Sequence, residues 1–227
     1  DRLRSRGLGD VYKRQISLAC DRTVFAQSAY NGYATAATSP FNPQASIAQN
    51  VKIFSSEADS ITAKQALNQS MIDSKKLNIN ILVNKNNNRI ACATLLKNQL
   101  EAIGFTVTID EEGTKEYTRR VKNTEFNLYI GEVKLSDDMC LYPFFDDKSG
   151  GVRYGIDNEN LTCDDLYSAY LAGECDLGKF ILAFNEEMPY IPLVYKKGMI
   201  CYTKAISGDM QGYWGNFFSN IDTWRFE

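Results

Sequence analysis

Five pairs of adjacent carboxylates are the first candidates for chemistry in this chain: Glu111-Glu112, Asp137-Asp138, Asp146-Asp147, Asp164-Asp165 and Glu186-Glu187. Two carboxyl groups that work as acid and base must face one space. Neighbours in sequence point to different sides of a helix or strand, so adjacency alone makes no catalytic pair. None of the five has the spacing of a calcium loop, and helix capping or a solvated face is their ordinary reading. Asp137-Asp138 differs in position only. It follows the end of an expected strand, and open α/β sheets place ligands beyond the carboxyl ends of their strands. Histidine is absent, which excludes Ser-His and Cys-His catalysis and imidazole-bound zinc or nickel. The six cysteines, at 20, 92, 140, 163, 175 and 201, show no CxxC spacing. Buried free thiols are expected, with a Cys163–Cys175 disulfide as the alternative. Phosphate-binding glycine loops, nucleophile elbows and zinc-protease motifs are missing. No cofactor and no metal site is expected.

The elements that must position these residues come from a chain of 227 residues, 44% hydrophobic and 23% charged, enough for one large domain or two small ones. A net charge of −3 offers no basic surface to nucleic acid. No apolar run reaches the ~18 residues of a membrane helix. The first fifteen residues, DRLRSRGLGDVYKRQ, are basic and show no apolar period, and GLGDVYKRQ resembles translated sequencing-adapter read-through. Residues 1–15 are therefore set apart as a non-native extension. The rest is expected to be the C-terminal part of a longer protein.

Beyond that segment, Ile16 to Cys20 reads as the end of a helix, and Asp21 can cap a second one running to about Tyr30, with Gly32 as its stop. Ala34 to Ile47 reads as a packed loop, and Asp59 or Ser60 can cap a short helix to about Leu67. Leu77, Ile79, Ile81 and Val83 alternate with Asn78 and Asn80 as a strand requires. Arg89 to Ile103 is an amphipathic helix with Cys92, Leu96, Leu100 and Ile103 on one stripe. Gly104 sits where a left-handed residue closes a helix, and Phe105, Val107 and Ile109 alternate as a second strand. Strand, helix and strand make a βαβ crossover, so the two strands should be parallel. A helix over Glu116–Val121 follows. A third strand is expected to open at Phe126 and to run into Gly131–Ser136, with Asp137 or Asp138 capping a short helix to Phe145. Lys148–Gly151 reads as a flexible turn. Helices are expected over Asp164–Leu171 and Leu177–Glu187, strands over Tyr190–Val194 and Met199–Thr203, and an aromatic tail from Trp214 to Phe226.

Four segments, in order, resemble one family. ISLACDRTVFAQSAYNGYATAATSPFNP is similar to the "AI-x-x-A-hydrophobic-D-R … G-x-A-x-P" segment of the family 5 solute-binding proteins of bacterial ABC importers. LNINILVNKNNNRIACATLLKNQLEAIGFTVTI is similar to that family's strand–helix–strand unit. EYTRRVKNTEFNLYIGE resembles its "E-[YF]-x-x-x-hydrophobic-x-x-x-x-[FY]-D" element, with Asn127 where Asp is usual, and EEMPYIPLVYKKGM resembles its "P-x-I-P-L-Y-Y" strand.

The resemblance implies an α/β fold, one lobe of a periplasmic-binding-protein-like clamp of type II, with a mixed, mainly parallel sheet flanked by helices. Residues 16–195 would be the C-terminal ligand-binding lobe, and 196–227 would return towards a first lobe. It implies a substrate-binding component rather than an enzyme: a short peptide held in the interlobe cleft, hinge closure, and delivery to membrane permease subunits, by a monomer outside the cytoplasm. In peptide-binding members the segment after "FD" lines the cleft and pairs with an extended peptide, and its acid holds the peptide ammonium. Carried onto this sequence, the lining is Glu132, Val133, Lys134, Leu135 and Ser136 and the acid is Asp137, with Asp138 as the alternative and Tyr154 as a further wall residue. Cys140 stands where relatives often carry Asp. Two other classes stay open: an extracellular peptide or pheromone sensor without import, and a histidine-free α/β enzyme.

Overall fold

The computed structural model describes residues 10–70, 77–145, 156, 162–210, 216 and 218–226. Tyr154, Asp146-Asp147 and the Lys148–Gly151 turn lie outside the described residues. The chain builds two apolar cores.

The first core is organised by a three-stranded parallel sheet. β1 (Ala34–Ala36) lies outside it. The sheet itself contains β2 (Asn78–Asn84), β3 (Thr106–Glu112) and β4 (Leu128–Tyr129), in the order β3-β2-β4. β2 pairs with β3 from Asn78↔Thr106 to Asn84↔Glu112, and with β4 at Ile81↔Leu128 and Leu82↔Tyr129, all parallel. Ile79, Ile81 and Val83 are buried on one face of β2, and Leu82 is buried on the other, as befits the central strand. The crossover is α4 (Asn87–Ile103), the fourth helix after α1 (Asp10–Ala19), α2 (Arg22–Val24) and α3 (Ser60–Gln69). Asn86 caps α4 by accepting from Arg89 N, and the stripe of Cys92, Leu96, Leu100 and Ile103 is buried. Gly104 has φ +118°, and Phe105 N closes the end by donating to Leu100 O at 3.1 Å. The βαβ unit therefore forms as its periodicity predicts.

Residues 10–15 lie within α1, which sends Tyr12 and Ile16 into the first core. Tyr12, Ile16 and Ala19 lie on one helical stripe, and Tyr12 packs edge-on against Phe105 at 6.1 Å. The helix capped by Asp21 keeps an α-helical hydrogen-bond pattern only to Val24 and continues as a π-helical turn over Phe25–Ala29. The loop from Ala34 opens with β1, which pairs antiparallel with β5 (Val194–Lys196), so the strand expected over Tyr190–Val194 falls later. Met199–Thr203 is not a strand. The tail instead pairs β6 (Ile206–Ser207) with β7 (Arg225–Phe226).

The second core lies around α7 (Thr162–Leu171) and α8 (Leu177–Glu187), with α6 (Tyr142–Phe145) beside them. It is aromatic: Phe180 meets Tyr167 at 4.9 Å, Phe145 at 5.8 Å and Phe41 at 6.2 Å, and Phe54 meets Phe184 at 6.3 Å. Glu187 caps α7, its carboxylate accepting from Thr162 N and Cys163 N at 2.8 and 2.9 Å. Burial opposes its charge, but these bonds outweigh burial and hold the carboxyl below its usual range.

Arg22 joins the cores. Only 1% exposed, its guanidinium donates to Pro192 O (2.9 Å), Ser55 O (3.0 Å), Ser17 O (3.2 Å), Cys20 O (3.4 Å) and Ser17 Oγ (2.9 Å), and it lies over the Phe54 ring at 4.9 Å.

Candidate functional site

Chain leaving β4 passes the carboxyl end of the sheet, where open α/β sheets leave a crevice. Ile130 N still donates to Leu82 O at 3.0 Å, and Ile130 O accepts from the Tyr117 hydroxyl of α5 (Thr114–Lys122) at 2.8 Å. From Gly131 the chain is irregular rather than a continued strand. It nevertheless keeps a two-residue rhythm. Glu132, Lys134 and Ser136 are exposed, while Val133 and Leu135 pack against the second core. Among the described residues, no backbone hydrogen bond is made by Glu132, Val133 or Leu135. This strap of irregular chain has one face anchored and its outward face open to solvent.

Glu132 starts the strap and is already committed. Its carboxylate meets Lys196 Nζ of β5 at 2.8 Å and Arg89 of α4 at 3.4 Å, and Arg89 also donates to Asn84 Oδ1 at 2.9 Å. Burial works against the Glu132 charge, and the two cations outweigh it, so the carboxyl is held below its usual range. Neither cation was expected from sequence. They lie 64 and 43 residues from Glu132, and no local spacing signals such a pair.

The two aspartates at the end of the strap are separated by their surroundings. Asp138 is consumed by its own turn: Oδ1 accepts from Ser136 Oγ at 2.5 Å and from Cys140 N at 3.1 Å, and these bonds lower its pKa. Met139 N donates to Ser136 O at 2.9 Å, and Met139 takes φ +58°. The turn therefore closes before a helix can start. α6 begins only at Tyr142, with Pro143 in its first turn, so neither aspartate caps it as expected. Asp137 sits in the same turn, exposed, and no described residue bonds its carboxylate.

The remaining acidic pairs among the described residues have structural work or face solvent. Glu112 pairs with Arg120 at 3.2 Å, Asp164 and Asp165 stand in the first turn of α7, and Glu187 caps that helix. The six cysteines are free, and Cys175 directs its thiol to Leu166 O. Asn127 Oδ1 accepts from Asn80 N at 3.0 Å, while Asn127 N donates to Asn80 Oδ1 at 2.9 Å. The side chain at 127 thus only accepts, which an aspartate would do equally well. A recess lined by Asn78, Ile79, Asn80, Thr106, Thr108 and Asn127 lies at the opposite, amino end of the strands. Among the described residues, no group of three or more Cys, Asp or Glu side chains could hold a metal ion, and no helix is long and apolar enough to cross a membrane.

Residues 10–150, well over half the chain, match the family model described as bacterial extracellular solute-binding proteins, family 5 middle. Among solved structures, the oligopeptide-binding protein AppA from Bacillus subtilis, in complex with a nonapeptide, is similar with a TM-score of 0.67 at 17% identity over 96% of this chain and 47% of its own. NikA from Staphylococcus aureus, in complex with Ni(L-His)2, is similar with a TM-score of 0.66 at 18% identity over 82% of this chain and 42% of its own. The ABC transporter substrate-binding protein CtaP from Listeria monocytogenes reaches 0.63 at 15% identity over 83% and 41%. At these identities the likeness speaks for the fold. The chain spans about half the length of these structures or less. No curated protein sequence matches it.

Proposed function

We propose, because this chain belongs to the bacterial extracellular solute-binding proteins of family 5, that residues 16–195 are the ligand-facing lobe of a two-lobed clamp and that residues 196–227 lead back to the other lobe. The clamp takes a short peptide in its cleft, closes over it and hands it to the membrane permease of an ABC importer. It works outside the cytoplasm, as a monomer, and performs no catalysis. The family is one of binding proteins. An exposed apolar set on the tail, Met199, Tyr202, Phe218, Ile221 and Phe226, supports the domain reading, because a second lobe would cover it.

One observation carries the peptide reading: a strap of alternating exposure with open backbone positions ends on an uncommitted carboxylate, Asp137. Such a strap suits an extended peptide added as a strand, with Asp137 taking its ammonium. Glu132, Lys134 and Ser136 form the outward face of the lining, Val133 and Leu135 support it from the core, and Tyr154 is a further wall residue. An ammonium–carboxylate bond shielded from water is worth ~1.5–3 kcal/mol, against under ~1 at an open surface. Titration of the full-length protein with a tetrapeptide mixture tests this. Asp137→Asn should weaken binding about tenfold or more, and unchanged affinity would remove Asp137 from the site.

A further inference from the structure

The ties of the turn that carries Asp137 are of two kinds. Met139 N to Ser136 O and Cys140 N to Asp138 Oδ1 both close within the turn. They fix its shape, and the buried side chains of Met139 and Leu141 seat it on the second core. The other kind comes from a distant helix. Leu141 N donates to the phenol oxygen of Tyr167 at 2.7 Å, and the same hydroxyl faces the Cys140 thiol at 3.8 Å. Tyr167 is 2% exposed, with its ring between Phe145 at 5.5 Å and Phe180 at 4.9 Å. Its helix, α7, is pinned at its start by Glu187. The phenol is thus a fixed point of the second core, and it adds a directional hydrogen bond to the turn's apolar seat, one residue beyond Cys140. Burial raises the phenol pKa, so the tie keeps its proton across the neutral range.

We propose that Tyr167 is a positioning residue for the ligand site: it sets the direction in which Asp137 meets the peptide ammonium without touching the ligand. This rests on the reading of Asp137 given above. A charge-assisted contact depends on its supporting shell, and an acid carried on a turn loses reach when the turn can swing.

Tyr167→Phe removes the hydroxyl and keeps the ring. In the unaltered protein, Leu141 N–H should exchange with solvent at least ~10-fold more slowly than an open amide, and the substitution should abolish that protection while α7 amides keep theirs. In the full-length protein, Tyr167→Phe should weaken binding of the tetrapeptide mixture ~3–10-fold. In the Asp137→Asn background it should have no further effect, because nothing is left to aim. Equal weakening in both backgrounds would make Tyr167 a structural residue and overturn the proposal, as would an unprotected Leu141 amide in the unaltered protein. If Asp137→Asn leaves affinity unchanged, or the unaltered protein binds no peptide, the reading of the site falls and this proposal with it. Loss of affinity with Asp137→Asn but not with Tyr167→Phe sinks only the role of Tyr167.

Discussion

Replacing Arg22 by methionine tests how the two cores are held together. The change keeps an unbranched apolar stem in place and deletes every N–H of the guanidinium. Pro192 O and Ser55 O, which accept at 2.9 and 3.0 Å, would lose their partner, whereas Ser17 O keeps a long bond from Cys20 N at 3.4 Å. Each carbonyl left unsatisfied in the interior costs ~1–3 kcal/mol, which puts the loss at ~2–6 kcal/mol. Removing a buried charge returns part of that, since desolvation already lowers the pKa of Arg22. A net destabilisation of about 3 kcal/mol is expected. With a urea slope of about 2 kcal/mol per molar, the unfolding midpoint should fall by ~1.5 M at unchanged slope. Arg22→Lys should do little better, because an ammonium cannot fork to acceptors on three segments. A loss below ~1 kcal/mol for Arg22→Met would refute the argument, since the carbonyls would then have found other partners.

Gly104→Ala should lower the melting temperature by ~2–4 °C. The new Cβ would lie 3.9 Å from Leu67 Cδ2, an ordinary contact, so the cost of about 1 kcal/mol comes from φ +118° alone. Glu187→Ala uncovers Thr162 N and Cys163 N and should cost ~1–2 kcal/mol in urea unfolding, with faster amide exchange in the first turn of α7. Glu132→Gln tests linkage. The folded pKa of Glu132 is depressed, so its contribution is present above the unfolded carboxylate range near ~4.3 and fades as pH falls through the folded value. The unaltered protein should exceed Glu132→Gln in stability at pH 7, by under ~1 kcal/mol because Glu132 and Lys196 are well exposed and the Arg89 contact is long at 3.4 Å, and the two should converge in acid. A difference that grows on acidification would contradict the assignment.

The βαβ unit was legible because everything that makes it is local: alternation in Leu77–Val83, one stripe on α4, and a glycine where the helix must end. The β1–β5 pair was not, because three-residue strands some 160 residues apart leave no periodic trace. The site divides the same way. The resemblance put the acid at Asp137 with Asp138 as the alternative, and the sequence expected one of them to cap a helix. Neither does: Ser136 and Cys140 N occupy Asp138 in a turn, which leaves Asp137 exposed and explains why the expected helix does not start there. Arg89, Lys196 and Tyr167 reach the strap from far along the chain, and only the folded arrangement reveals them.

The alternation along the strap has an evolutionary and practical side. Val133 and Leu135 answer to the second core, while Lys134, Ser136 and Asp137 are exposed, so core-facing and solvent-facing residues are interleaved on one short segment. Randomising 134 and 137 should re-tailor the surface chemistry with little thermal penalty, whereas the Ser136 hydroxyl is tied to Asp138. Randomising 133 and 135 should be filtered first by whether the chain still folds. A lineage could therefore vary the solvent-facing positions 134 and 137 and leave its scaffold intact.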